Sequence, residues 1–188
     1  MKYLLESTFV INPLEEHKKI KDEVLKLIDE QELFETLYDP NDGVNITKCD
    51  WGTSRWDRNR KWVNTLMKDL GPHLQNTIKE MGYVEFTLQE MWYQQYEKAS
   101  GHGWHVHGQN WTNVYFLELP EGSPKTQFIN PFDQTTINEF DVKEGDVLTF
   151  PSYVIHRAPI NRGDERKTII SWNMDTELKP GAYDNERH

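Results

Sequence analysis

The periodicity of this 188-residue chain changes once, at Gly82, and that change constrains its architecture more than any other feature. Before it, Trp62, Leu66, Leu70, Leu74 and Ile78 fall four apart, a spacing that stacks them on one face of a helix. After it, β-branched and aromatic residues fill 83–96, and short strand-like segments follow at even intervals between turn-forming clusters. Such a series of short strands folds into a sandwich or barrel. The expected architecture is mainly β, with two N-terminal helices covering one sheet.

In detail, a first strand is expected over 3–11. Asn12-Pro13-Leu14-Glu15 predicts a helix start, with Asn12 as cap, Pro13 in the first turn and Glu15 reaching back. Leu14, Ile20, Val24, Leu27 and Ile28 carry the stripe within a helix over 13–36, and Asp39-Pro40-Asn41-Asp42-Gly43 is a turn. The second helical region spans 57–81, and Gly71-Pro72 is expected to split it, since proline lacks the amide donor and crowds the preceding turn. Residues 83–96 predict one long strand with Val84, Phe86, Leu88, Trp92 and Tyr96 on one face. Further strands are expected at 104–107, 111–119, 126–130, 137–142, 146–150, 153–156 and 166–174. One domain over 1–188 results: a helical support region over 1–82, a β core over 83–174 and a polar tail over 175–188.

Composition narrows the function classes. A formal net charge of −10 repels phosphate backbones, so nucleic acid is not an expected partner unless a local basic patch overrides the field. A single cysteine, Cys49, excludes a disulfide within the chain and a cysteine-based zinc site. The first six residues, Met1 to Glu6, contain no long apolar run, which predicts neither a signal peptide nor a membrane span. The expected compartment is cytoplasmic.

The chemistry-bearing pattern is Trp104-His105-Val106-His107, answered by His156 at the end of an apolar run and by Arg166 ten residues later. On a strand, residues i and i+2 share a face, so His105 and His107 can reach one metal ion and His156 can complete three ligands. Arg166 offers a planar fork for a carboxylate. Thr168 would share its face and add a hydroxyl. Tyr96 precedes the first histidine by nine residues. Each residue has a plainer reading: a hydrogen-bonded strand histidine, an arginine paired with Asp164 or Glu165, a core tyrosine. Trp104 and Trp111 are core residues or pocket walls, and Trp51-Gly52-Thr53-Ser54-Arg55 is a loop or a lid.

These residues carry a family resemblance. Gly101-His102-Gly103-Trp104-His105-Val106-His107, with Thr112-Asn113-Val114-Tyr115-Phe116-Leu117 and Pro120, resembles the first half of a 2-oxoglutarate/Fe(II)-dependent oxygenase. Phe128-Ile129-Asn130-Pro131, Gly145-Asp146-Val147-Leu148-Thr149-Phe150-Pro151-Ser152, His156, Arg166 and Asn173 resemble the second half. The likeness covers roughly 83–174 and is nearest to bacterial and phage oxygenases with an H-x-H motif, more distantly to prolyl hydroxylases. It implies a double-stranded β-helix, a cupin-like jelly roll with helices on its major sheet. It implies Fe(II) and 2-oxoglutarate as cofactors and O₂ as co-substrate. By the same likeness His105 and His156 are iron ligands, Arg166 pairs with the distal carboxylate of 2-oxoglutarate, and Tyr96 lies near that co-substrate.

Two positions depart from the family. Most members have a carboxylate where this chain has His107, and Glu118 or Asp133 would be the substitute if His107 does not bind; His107 is preferred for its spacing and facing. Some prolyl-hydroxylase-like members use a tyrosine on the strand after the first ligands, where this chain has Phe116, which leaves Thr168 to supply that hydrogen bond. The implied reaction is hydroxylation of a C–H bond in a peptide or protein side chain or a small molecule, releasing succinate and CO₂. The alternatives are a three-histidine metalloenzyme of cupin type that does not use 2-oxoglutarate, and a non-catalytic jelly-roll binding module.

Overall fold

The computed structural model describes residues 6–178. The start of the expected first strand, at 3–5, and the expected tail from 179 onward lie outside them. Strand β1 (Val10–Pro13) leads into helix α1 (His17–Asp29), a hairpin of β2 (Glu35–Asp39) and β3 (Val44–Cys49), and a short helix α2 (Trp51–Ser54). Helix α3 (Lys61–Glu80) precedes the long β4 (Tyr83–Tyr96). Then come β5 (His102–His105), β6 (Trp111–Glu118), β7 (Gln127–Ile129), β8 (Ile137–Glu139), β9 (Asp146–Pro151), β10 (His156–Ala158) and β11 (Lys167–Leu178). Among the described residues the strands form two antiparallel sheets: seven strands in the order β1-β9-β6-β11-β4-β3-β2, and four in the order β5-β10-β7-β8. They face each other as the double-stranded β-helix that the resemblance implied.

The seven-stranded sheet is covered on both faces. Outside it, Ile20, Val24 and Ile28 of α1 and Trp62, Leu66, Leu70 and Leu74 of α3 pack on Met91, Tyr93, Tyr115, Leu117, Ile170 and Trp172. Inside it, Tyr96, Val114, Phe116 and Ile169 pack against Phe128, Val154 and Ala158 of the four-stranded side. Neighbouring residues on one strand therefore serve two cores, and β6 and β11 are buried almost without interruption. At about 25 cal/mol per Å² of apolar surface removed from water, this double burial is what holds the sheet between its two layers.

Several local expectations are corrected. Helix α3 runs unbroken through Pro72; Lys68, whose carbonyl loses its helical donor, and Pro72 itself are both exposed, so water can satisfy the freed oxygen. Helix α1 begins after Glu16, because Asn12 is already in β1 opposite Val147. It stops at Asp29 rather than continuing to 36, since Glu35–Asp39 is drawn into the hairpin with β3. In β4, Phe86 and Leu88 pack toward the helices whereas Tyr96 belongs to the inner core. The single face expected for them is broken by a bulge: Asn173 pairs with Glu90 but Met174 pairs with Leu88, leaving Gln89 over. One extra residue reverses every side chain beyond it.

One buried charge pair anchors the helical layer. The Asp50 carboxylate, fully buried, accepts hydrogen bonds from the Arg60 guanidinium, Trp62 Nε1 at 3.0 Å and the Tyr93 amide at 3.0 Å. Arg60 also donates to the Met91 carbonyl. Both carboxylate oxygens and all three guanidinium nitrogens, the last through Nε to the Asp57 carbonyl, are hydrogen-bonded, which is the condition under which a buried ion pair is tolerated.

Candidate metal centre

His105 and His156 are opposed residues of β5 and β10. His107 lies just beyond β5, where its amide donates to the Ser152 carbonyl at 3.0 Å. The strand expected at 104–107 thus ends at His105, yet His107 still turns inward with it. The ring centres of His105 and His156 are 4.2 Å apart, and that of His107 is 5.2 Å from each. One ligand atom from each ring falls within 4.8 Å of the other two, the spacing of a shared metal ion. Among the described residues this is the one such cluster. Neither carboxylate considered as a substitute ligand is in it. Glu118 is held by Arg166 and Thr168, and Asp133 caps the exposed turn of Thr135 and Thr136.

Two rings are fixed in the tautomer that ligation needs. His105 Nδ1 lies 2.8 Å from the Gly103 carbonyl, and His156 Nδ1 lies 3.0 Å from the Val154 carbonyl. A carbonyl can only accept, so each Nδ1 carries the proton and each Nε2 keeps its lone pair. Burial depresses the protonation of all three: His107 falls to about 4, with the neighbouring His105 adding to the effect, and His156 falls well below the usual histidine value. His105 is lowered by burial too. Near pH 7 the cluster is neutral, the form that binds metal.

The histidines open on a cavity of about 150 Å³ between the sheets, walled by Trp51, Trp92, Gln94, Tyr96, Thr112 and Ile169 among others. Trp92 stacks on His107 with ring centres 5.9 Å apart, and Trp51 stacks on Trp92 at 6.0 Å. Trp51 is thus a wall of the cavity. Trp104 faces away from it, over the Arg157 guanidinium, and Trp111 packs with Ile78 and Met174. Tyr96 lines the cavity, and among the described residues its buried hydroxyl has no hydrogen-bond partner.

Arg166 and Thr168 are not brought to the histidines. The Arg166 guanidinium binds Glu118 at 2.9 and 3.2 Å and Asp29 at 2.9 Å, and the Thr168 hydroxyl donates to the same Glu118. Thr168 therefore cannot stand in for the hydroxyl missing at Phe116. Strand alternation is the reason: 166, 168, 170 and 172 face the helices, while Ile169 and Ser171 face the cavity. The cation on the inner parity is Lys167. It is 1% exposed, its Nζ sits 4.9 Å from the centre of the Tyr96 ring, and it donates to the Pro124 carbonyl at 3.0 Å. Among the described residues no carboxylate lies within ion-pair distance of it, and burial pulls its pKa down to about 8. A buried ammonium with donors to spare is costly unless an anion completes it.

Sequence reasoning missed Lys167 and also His102, whose ring stacks on His105 at 3.9 Å and lines the cavity. Parity puts His102 and His105 on opposite faces of a regular strand. The register shift between the His156↔His105 and Ala158↔His102 pairs brings both inward. The flanking glycines Gly101 and Gly103 were the available sign of an irregular strand.

Comparison with known proteins agrees with this geometry. Residues 90–173, which hold the whole cluster, match the family model described as "Putative 2OG-Fe(II) oxygenase". No curated protein matches the sequence. The fold is similar to that of a 2OG-Fe(II) oxygenase family oxidoreductase from Burkholderia pseudomallei, with 15% identity over 90% of this chain and 87% of that one, TM-score 0.68. It is similar to a Trichoplax adhaerens prolyl hydroxylase in complex with a hypoxia inducible factor peptide fragment (16% identity, 89% and 83% covered, TM-score 0.63). It is also similar to the epimerase SnoN in complex with Fe3+, alpha ketoglutarate and nogalamycin RO (13% identity, 90% and 79% covered, TM-score 0.65). The matched stretch, a little under half of the chain, resembles the 2-oxoglutarate/Fe(II)-dependent oxygenases, and the fold is one that these solved structures share.

Proposed function

We propose that the protein is an Fe(II)- and 2-oxoglutarate-dependent oxygenase that hydroxylates a C–H bond of a peptide side chain or small molecule. The observation that carries the proposal is the convergence of His105, His107 and His156, neutral and with two rings locked Nε2-inward. His105, His107 and His156 would hold the iron. Lys167, rather than Arg166, would pair with the distal carboxylate of 2-oxoglutarate, and the unpartnered Tyr96 hydroxyl would donate to the same co-substrate. Bound iron and co-substrate supply O₂ reduction coupled to decarboxylation of 2-oxoglutarate to succinate and CO₂, with one oxygen atom going to the C–H bond.

The protein's own contribution is positional. The carbonyls of Gly103 and Val154 orient the ligands, the aromatic wall of Trp51 and Trp92 limits water, and Lys167 fixes the far end of the co-substrate. Relatives of this fold include a peptide-bound prolyl hydroxylase and an epimerase, so the identity of the C–H bond rests with the cavity wall and not with the fold.

Anaerobic titration of metal-free protein with Fe(II) and then 2-oxoglutarate tests the reading. The expected result is the visible charge-transfer band of a chelated 2-oxo acid, absent when His105 and His156 are both alanine. Iron binding without a band would instead favour the three-histidine enzyme that does not use 2-oxoglutarate. Absence of metal binding would overturn the catalytic reading in favour of a binding module.

A further inference from the structure

The geometry points to His102 as a fourth imidazole of the site, one that does not hold the metal but donates a hydrogen bond to a carboxylate of the metal-bound co-substrate. This rests on the oxygenase reading above. Three observations carry it. His102 lines the cavity with its ring parallel to that of His105, centres 3.9 Å apart and planes 15° from each other. It stands outside the group whose ligand atoms share one centre. Among the described residues, the carbonyl hydrogen bonds that tie down His105 and His156 have no counterpart at His102, which leaves its nitrogens available toward the cavity.

The backbone around His102 is built to keep it there. A side chain at Gly101 would press on the Ala158 carbonyl and on Ile160, and one at Gly103 would overlap the Asp42 carbonyl at the β2–β3 turn. Asn45 and Gly101 exchange backbone hydrogen bonds of 2.9 and 2.8 Å. The irregular stretch of β5 is thus clamped between β10 and the hairpin, and its register shift is what aims His102 inward. Irregularities of this kind beside a site re-aim a side chain. Pairing puts His102 opposite Ala158, whose small side chain leaves the space unfilled. Tyr96 lines the same cavity from the other sheet, and the Lys167 ammonium lies 4.9 Å from the centre of its ring. A neutral imidazole supplies one N–H, and a carboxylate has lone pairs for donors from both sheets.

The test compares His102→Phe, which keeps an aromatic ring against His105, with His102→Gln, which restores a donor without the ring. Each is titrated anaerobically with Fe(II), then with 2-oxoglutarate. The Phe variant is expected to bind Fe(II) within about twofold of the parent but 2-oxoglutarate roughly tenfold more weakly, the loss associated with one hydrogen bond to a charged group, and to shift the charge-transfer band. The Gln variant should recover part of the affinity. Unchanged 2-oxoglutarate affinity and band in His102→Phe would reduce His102 to a packing role and overturn the inference. A large loss of Fe(II) affinity in both variants would make it a ligand and overturn it equally. If the parent itself binds Fe(II) yet gives no band, the oxygenase reading fails first, which separates the two failures.

Discussion

His105 and His156 face each other across the β5–β10 pair, and each donates its Nδ1 proton to the carbonyl two residues before it, Gly103 and Val154. The two rings are thus oriented by main-chain carbonyls of their own stretches of chain, and no carboxylate is needed to fix either tautomer. A site built in this way is rigid in its ligands before any metal arrives.

Loss of a single ring should therefore cost metal affinity without unfolding the protein. His105→Ala or His156→Ala is expected to weaken Fe(II) binding by at least about 100-fold, since a three-donor site loses a donor and not merely an outer partner. Equilibrium dialysis measures it. A change below about threefold in both would mean that these rings are not the ligands.

Lys167 and Arg166 separate by function. Lys167→Met should leave Fe(II) binding intact while raising the Kd for 2-oxoglutarate about tenfold or more, because it removes a charged partner from a buried anion. Arg166→Ala should leave that Kd unchanged and lower stability by about 1 kcal/mol, since its pairs with Glu118 and Asp29 are only partly shielded from solvent. Isothermal titration and urea unfolding give both numbers; the reverse pattern would restore Arg166 to the site.

Acid should destabilise the metal-free protein through the histidines. Their folded pKa values lie below the ordinary 6.5, about 4 for His107 and about 3 for His102, with burial the main cause. Between those values and 6.5 the unfolded chain binds more protons than the folded one, so stability present above pH 6.5 is lost as pH falls toward 4. Scanning calorimetry from pH 7.5 to 4 should show a falling Tm, with a shallower fall in His107→Gln. Identical slopes in the two proteins would rule out this origin.

The buried pair of Asp50 and Arg60 gives a stability prediction far from the histidines. Asp50→Ala leaves the guanidinium without its carboxylate and orphans Trp62 Nε1 and the Tyr93 amide. The expected cost is about 3–5 kcal/mol, read from denaturant midpoints. A loss under 1 kcal/mol would show that Arg60 finds another acceptor.

What was legible in the sequence was the set of parts. The helical spacing of Trp62 to Ile78 placed α3, the β-rich run after Gly82 placed the sheets, and the order His105, His107, His156 named the cluster that the fold assembles. These are local statements of spacing and residue type, and a helix face or a strand pair realises them wherever it packs. The tertiary structure decided the facing. Strand β11 is buried on both sides, so hydropathy could not say whether Arg166 or Lys167 turns inward; only its packing between α3 and the inner core settles it. The same holds for β4, where the extra residue at Gln89 parts Phe86 and Leu88 from Tyr96, and for β5, where the shifted register adds His102 to the cavity. Strand side chains alternate with a period of two, so each such one-residue shift is invisible in composition and yet reverses which chemistry reaches the site.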